Sequence, residues 1–303
     1  MDVKDLVKPP FANYDVVVYF GCGLFCIPII HHYLVEPNGL RFPRFQFDLA
    51  GGFADTVIST LSLLFTVYIL GHMIAFGASY AIEKTVDKFL GKISSAIIIA
   101  NLTSPGSYRE TLQAWFLRRA VKVLSEKGRL FAALRIIALL PVIPALVLAF
   151  LTKSFDYFKT RVPPRVFSQL QKIARRRGYG PVGLHTKWYK AVEHDVMCNN
   201  PIAVARMYNY LVIGGIFRSL AFIFLLCAWA ESGYWMYRVI TGEELVQTVM
   251  SDERLKLAHL TMLVLFNVLF AFSLSAYIKF SRRYAEEAIF AFVLTRERAT
   301  DGQ

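Results

Sequence analysis

Residues Arg135 to Phe150 read RIIALLPVIPALVLAF, a run that is apolar enough to enter a bilayer but is interrupted twice by proline. Pro141 and Pro144 each remove a backbone hydrogen-bond donor and clash with the preceding helical turn. The arms on either side are about ten residues long, roughly 15 Å as helix, which is half of a hydrocarbon core. The run is therefore either a kinked span or a hairpin that turns back, and the choice decides where the flanking charges lie.

The rest of the chain is typical of a helical membrane protein with several spans. Its 303 residues are 55% hydrophobic and only 18% charged, with a net charge of +12, whereas about a quarter of the residues in a soluble domain are charged. Crossing a bilayer takes about 20 apolar residues as helix. Four segments meet this length, near residues 11–34, 53–82, 208–230 and 258–280. The sequence therefore predicts an all-α integral membrane protein with about four transmembrane helices.

The distribution of charge favours a hairpin over a fifth span. Residues 84–129 contain nine cationic and three anionic side chains, a net charge of +6, and residues 153–206 contain eleven and three, a net charge of +8. Segments 35–52 and 231–257 are balanced and acidic, respectively. Short segments rich in Lys and Arg stay cytoplasmic, and both basic segments reach that side only if the proline-broken run turns back. A kinked span stays open as the alternative, because neighbouring helices tolerate proline.

These patterns predict three regions. Residues 1–83 form an N-terminal transmembrane hairpin of two spans. Residues 84–206 form a basic cytoplasmic or interfacial helical region, which contains a re-entrant or in-plane hairpin over residues 131–152. Residues 207–303 form a C-terminal transmembrane hairpin with a cytoplasmic helical tail. Both termini are expected in the cytoplasm, with the protein in the plasma (inner) membrane.

Two local signals define helices inside the basic region. Asn200 followed by Pro201 is typical of a helix start, with an asparagine cap and proline at the first helical position, so the following span should begin in the cytoplasm and enter the membrane as one helix. An amphipathic basic helix is predicted to run from Arg165 until Gly178 stops it. Beside a membrane, such a helix lies against anionic headgroups. The predicted phospholipid contacts are Lys172, Arg175, Arg176 and Arg177. No nucleic-acid partner is expected, because the aromatic platform that bases require is missing.

Arg218 lies in the middle of the fourth span. An arginine at the centre of a membrane helix costs about 2.5–3.5 kcal/mol on insertion scales. Gly214 and Gly215 lie one turn before it and Ala221 lies one turn after it, and a face of small residues lets another helix approach closely. We therefore expect Arg218 to point into the protein.

Polar residues on two other spans are candidate partners of this arginine. A stripe of polar and small side chains follows the helical period along the second span, and Glu83 at its end is within reach of a long arginine side chain. The predicted intramembrane polar network, or pore lining, consists of Arg218, Tyr68, His72, Ser79, Glu83 and Asn267. Three roles stay open: an ion pair that fixes helix packing, the lining of a permeation path or substrate cavity, and a catalytic role.

Three classes of function fit this organisation. The favoured class is a homo-oligomeric channel, because four spans rarely enclose a pore unless several chains surround it, and a basic cytoplasmic vestibule would concentrate anions. The second is a non-catalytic effector or scaffold that docks lipid or a partner. The third is a membrane-embedded enzyme that acts on lipid substrates at the cytoplasmic interface. The enzyme is less favoured, since no carboxylates or histidines cluster at metal-binding or acid–base spacing; no catalytic residue, metal or cofactor is predicted.

Overall fold

The computed structural model describes residues 15–35, 53–89, 97, 129–151, 162–176, 178, 187–241 and 252–301, and nearly all of them are helical. Helix α1 (Gly21–Ile30) is flanked by the π-helical turns Asp15–Phe20 and His31–Val35. Helix α2 (Phe53–Ala78) continues through the π-helical turn Ser79–Glu83 into α3 (Lys84–Phe89). The remaining elements are α4 (Arg129–Ala138), a 3-10 turn (Leu140–Val142), α5 (Ile143–Leu151), α6 (Pro164–Arg176), α7 (Lys187–Asn199), α8 (Pro201–Thr241) and α9 (Asp252–Asp301).

Four helices are long and apolar enough to cross a membrane, as predicted. These stretches are Val16–Tyr33, Val57–Asp87, Pro201–Tyr237 and Leu257–Thr295. Four such helices indicate a membrane protein. The last two helices extend well beyond their predicted spans, because α8 has 41 residues and α9 has 50. At 1.5 Å per residue they are about 62 and 75 Å long, roughly twice the thickness of a hydrocarbon core.

The four long helices form an antiparallel bundle in which α1 packs on α2, α2 on α8, and α8 on α9. In each pair of neighbouring helices, later residues of one helix contact earlier residues of the other. The contacts that establish this are Tyr19–Gly71 and Gly23–Val67 for the first pair, and Gly77–Phe222 and Glu83–Arg218 for the second. For the third pair they are Phe217–Phe280 and Glu231–His259. Helix α2 therefore ends at the same end of the bundle at which α8 begins.

Two glycines set the distance between α1 and α2. A Cβ atom on Gly71 would lie 1.8 Å from the carbonyl oxygen of Tyr19, and one on Gly23 would lie 2.0 Å from that of Val67. Neither position has room for a side chain. The two backbones approach this closely only because both residues are glycine.

Helices α6 and α7 cover one end of the bundle, which we call the α6–α7 end. The apolar face of α6 packs against α7 and against the last third of α9. Its core includes Phe167, Leu170, Ala174, Trp188, Val192, Ala288 and Phe292. Burial, helped by the nearby Glu193 carboxylate, raises the pKa of Tyr189 well above its ordinary value, so this phenol stays neutral. This core contains residues from two of the three predicted regions. The boundaries between those regions stay a prediction.

The residues that end α6 and start α8 act as the sequence predicts. Gly178 adopts a left-handed φ of 69°, and its N–H donates to the carbonyl of Arg175 at 3.1 Å; glycine takes this conformation without the clash that a Cβ would cause. At the start of α8, the Asn200 side-chain oxygen accepts from the N–H of Ala203 at 3.0 Å. The Asn200 amide also donates to the Thr295 hydroxyl at 3.0 Å, which ties the start of α8 to the end of α9.

The prolines break the helix over Arg135–Phe150 into α4 and α5. The turn between them packs on the bundle, because Trp229 Nε1 donates to the Ala138 carbonyl at 2.8 Å and Val142 is buried against α8 and α9. Helix α3 ends, and α8 begins, at the same end of the bundle. Any complete crossing by α4 and α5 would therefore have to be matched by a second crossing between α3 and α8. The re-entrant hairpin satisfies this condition and stays a prediction.

Candidate functional site: an ion pair between apolar helices

The π-helical turn at the end of α2 positions an acidic side chain. The N–H of Lys84 bonds to the carbonyl of Ser79, five residues earlier, and π turns of this kind occur often at functional sites. Within the same turn, Ser79 Oγ donates to Glu83 Oε2 at 3.0 Å. The Glu83 carboxylate is thereby oriented toward α8.

Glu83 forms an ion pair with Arg218, whose Nη1 donates to Glu83 Oε2. The Arg218 side chain is 16% exposed and that of Glu83 is 36% exposed. Tyr277 of α9 lies within electrostatic range of both groups and hydrogen-bonds to Ser281. Three helices therefore surround the pair, at about one turn of helix from the end of α2.

The guanidinium keeps unused donor capacity. Arg218 Nε is buried and has no hydrogen-bond partner among the residues that the structure describes. Arginine has five N–H donors in a fixed planar arrangement, so a partner on one edge leaves the others available. Leaving a buried donor unpaired costs about 1–3 kcal/mol, and more when the group is charged. This geometry can hold a further acceptor, such as an anion or a water molecule.

The predicted polar stripe does not converge on Arg218 as a whole. The structure brings Ser79 and Glu83 to the arginine. His72 lies about three turns away along α2, where it stacks on Tyr19 with ring centroids 3.8 Å apart. Tyr68 contacts the same histidine edge-on at 4.5 Å. These rings belong to the contact between α1 and α2.

Asn267, the predicted partner on the last span, is also separate from the ion pair. Its amide donates to the Leu263 carbonyl at 2.9 Å. Its side-chain oxygen is buried and has no hydrogen-bond partner within the described segments. Asn267 lines a groove between α5 and α9.

The predicted lipid-contacting cations lie on the exposed side of α6. Lys172, Arg175 and Arg176 are all exposed, whereas Arg177 lies outside the described residues. Because protein covers the apolar face of α6, contact of this helix with a membrane would be electrostatic. Lipid contact by these residues stays a prediction.

A second polar cluster, at the opposite end of the bundle, was not foreseen. Glu231 is only 1% exposed; it accepts a hydrogen bond from the Tyr33 hydroxyl and lies 2.7 Å from His259 Nδ1. Tyr234 stacks on the His259 ring at 4.0 Å. The sequence pattern groups Glu231 with the acidic segment 231–257, but α8 continues to Thr241, so Glu231 lies within this helix. The signal for this continuation was the apolar, aromatic context of the glutamate, CAWAESGYW over residues 227–235.

The chemistry available to these sites is charge pairing and hydrogen bonding. Within the described ranges, no three His, Cys, Asp or Glu side chains are arranged to hold a metal ion. No family model, curated protein or solved structure matches this chain. The function is therefore inferred from the geometry of the site.

Proposed function

We propose that the protein is a homo-oligomeric membrane channel that favours anions and whose conduction path includes Arg218. The observation that supports this most directly is the state of the guanidinium. It lies between apolar helices, is paired on one edge with Glu83, and keeps a buried Nε–H without a partner among the described residues. A permeating anion would contact the exposed part of the guanidinium transiently, and the carboxylate would keep the anion from binding too tightly to leave.

The exposure of Glu83 supports an assembly of several chains. More than a third of this side chain is exposed on the surface of a single bundle, within an apolar stretch long enough to span a membrane. A charged side chain against lipid is unfavourable, and within a span it almost always faces the protein interior or a water-filled cavity. Further copies around a water-filled path would remove that cost. The path would then lie between chains, since the interior of each bundle is filled by side chains.

The exposed cations of α6 lie at the end of the bundle at which α2 ends and α8 begins. With that end in the cytoplasm, Lys172, Arg175 and Arg176 would line a basic vestibule. Like charges around a restricted opening raise the local concentration of anions. The vestibule would therefore supply the anion preference, while Arg218 would act within the path.

The test is anion flux into proteoliposomes that contain purified protein. Arg218→Leu should reduce flux strongly, because it removes the cation from the path. Arg218→Lys should give an intermediate flux, because it keeps the charge but loses the planar arrangement of donors. Arg206→Leu is the matched control, since Arg206 forms an exposed ion pair with Glu287 at 3.4 Å near the start of α8; its flux should equal that of the wild type.

Stability and stoichiometry separate a channel from a purely structural pair. Removing one partner of a buried ion pair destabilises more than removing both, so Arg218→Leu combined with Glu83→Gln should recover stability without recovering flux. Unchanged flux in a well-assembled Arg218→Leu protein would contradict the channel and leave the pair as packing. A protein that is monomeric in nanodiscs by mass measurement would contradict the oligomeric path.

A further inference from the structure

A groove of about 1010 Å³ runs along α9 between this helix and α5. Its volume is at the upper end of the range of about 300–1,000 Å³ that is common for small-molecule sites. Its wall on α9 extends from Leu263 to Phe280, which is about 26 Å at 1.5 Å per residue. The groove is therefore long, and it follows the direction of α9 within its membrane-spanning stretch.

Most of the groove is apolar, and its walls are aromatic at one end. Phe217 of α8 stacks on Phe280 with ring centroids 5.9 Å apart and meets Phe272 edge-on at 6.1 Å. Phe272 is 65% exposed. Pro144 and Leu148 of α5 form the facing wall. Such a lining fits a hydrocarbon chain.

Two cations lie at the end of the groove nearest to α6 and α7. Lys279 lines the groove there, and Arg283 follows four residues later on the same face of α9. Both side chains are exposed. The adjacent Arg282 instead pairs with Glu286 at 2.7 Å. An apolar groove that ends at two exposed cations has the charge pattern of an anionic amphiphile.

We propose that this groove holds an acyl chain of an anionic phospholipid whose phosphate lies against Lys279 and Arg283. The site is distinct from the Arg218–Glu83 pair and does not depend on conduction. It also differs from the predicted headgroup contacts of α6, because here the apolar tail lies between two helices. The break at Pro141 and Pro144 matters for this site, since the turn leads α5 along α9.

The test uses phospholipids that carry a photoreactive group on the acyl chain, with the full-length protein in nanodiscs. Phosphatidylglycerol probes should label peptides that contain residues 141–148 and 263–280 more than phosphatidylcholine probes do. Replacing both Lys279 and Arg283 by Glu should reduce phosphatidylglycerol labelling by about fivefold per cation, which corresponds to about 1 kcal/mol each near a membrane surface. Lys172→Glu on α6 is the charge control and should leave groove labelling unchanged.

Blocking the groove tests the position of the tail. Ser275→Trp fills the groove and should reduce labelling by both probes, and Val268→Trp at its exposed edge should do the same if the first variant fails to fold. Leu265→Trp is the control, because Leu265 is exposed on the same helix outside the lining. Equal labelling by both probes, or labelling unaffected by these substitutions, would overturn the proposal. Cross-linking of Phe272→Cys to the same residue of a second chain would assign the groove to that chain and also overturn it.

Discussion

Glu231 is a carboxylate inside the bundle that is held by side chains from other helices. Tyr33, in the turn after α1, donates to it, and His259 of α9 lies 2.7 Å away. A buried charge is tolerated only when it is paired and hydrogen-bonded. The hydrogen bonds of this cluster therefore link three helices at one end of the bundle. The ion pair between Glu83 and Arg218 links two helices near the other end.

Glu231→Gln should destabilise the protein, because it removes the negative charge that His259 and Tyr33 contact. Loss of hydrogen bonds to a charged group costs about 1.5–3 kcal/mol each, so the midpoint of thermal unfolding should fall by several degrees. Tyr33→Phe removes one hydrogen bond and keeps the charge, and its effect should be smaller. A Glu231→Gln protein that unfolds at the wild-type temperature would show that the cluster contributes nothing to stability.

Individual helices were predictable to the extent that their signals are local. Asn200 and Pro201 are adjacent, and they start α8 where the sequence predicts. The contact between Arg218 and Glu83 could be foreseen because two charges in apolar spans require partners. The partner of Tyr33 is 198 residues away, and no local pattern indicates it. The apolar face of α6 was visible in the sequence, but its periodicity does not show whether lipid or protein covers it.

At the crossing of α1 and α2, Gly71→Ala should weaken packing because its Cβ would overlap the carbonyl oxygen of Tyr19. Overpacking costs about 1–3 kcal/mol. The loss of stability can be measured by thermal unfolding in detergent. Gly21→Ala is the control, since among the described residues no heavy atom outside its own helix backbone lies within 4 Å of a Cβ at that position and alanine favours helix. Equal loss of stability in both variants would contradict a specific role for the crossing.

The hairpin of α4 and α5 is tested by labelling single cysteines from outside the cell. The exposed Cys198 is first replaced by serine. In that background, a cysteine substituted for Asn38 or for Gly242 should react with an impermeant reagent. Cysteines at Gly128, Tyr157 and Gly180 should react only after the membrane is opened. Labelling near Gly180 from outside would mean that the proline-broken run crosses, and it would contradict the hairpin.

Across the whole molecule, the net charge of +12 is distributed unevenly. The exposed face of α6 carries Lys172, Arg175 and Arg176, and its apolar face is occupied by contacts with α7 and α9. These cations are therefore fixed at one end of the bundle by the fold. A fixed cluster of this kind acts on passing ions through its field and not through direct contact, so its effect should depend on salt.

Changing Lys172, Arg175 and Arg176 to Glu should lower the anion-to-cation permeability ratio of the proposed channel, because it reverses the charge at the vestibule. The ratio is obtained from reversal potentials across asymmetric salt. For the wild type, it should also fall between 0.1 M and 1 M salt, since the screening length falls from about 10 to about 3 Å. The control variant exchanges Lys and Arg at the same three positions and should keep the wild-type ratio. A triple Glu variant with wild-type selectivity at low salt would remove the vestibule from the mechanism and leave Arg218 as the candidate source of anion preference.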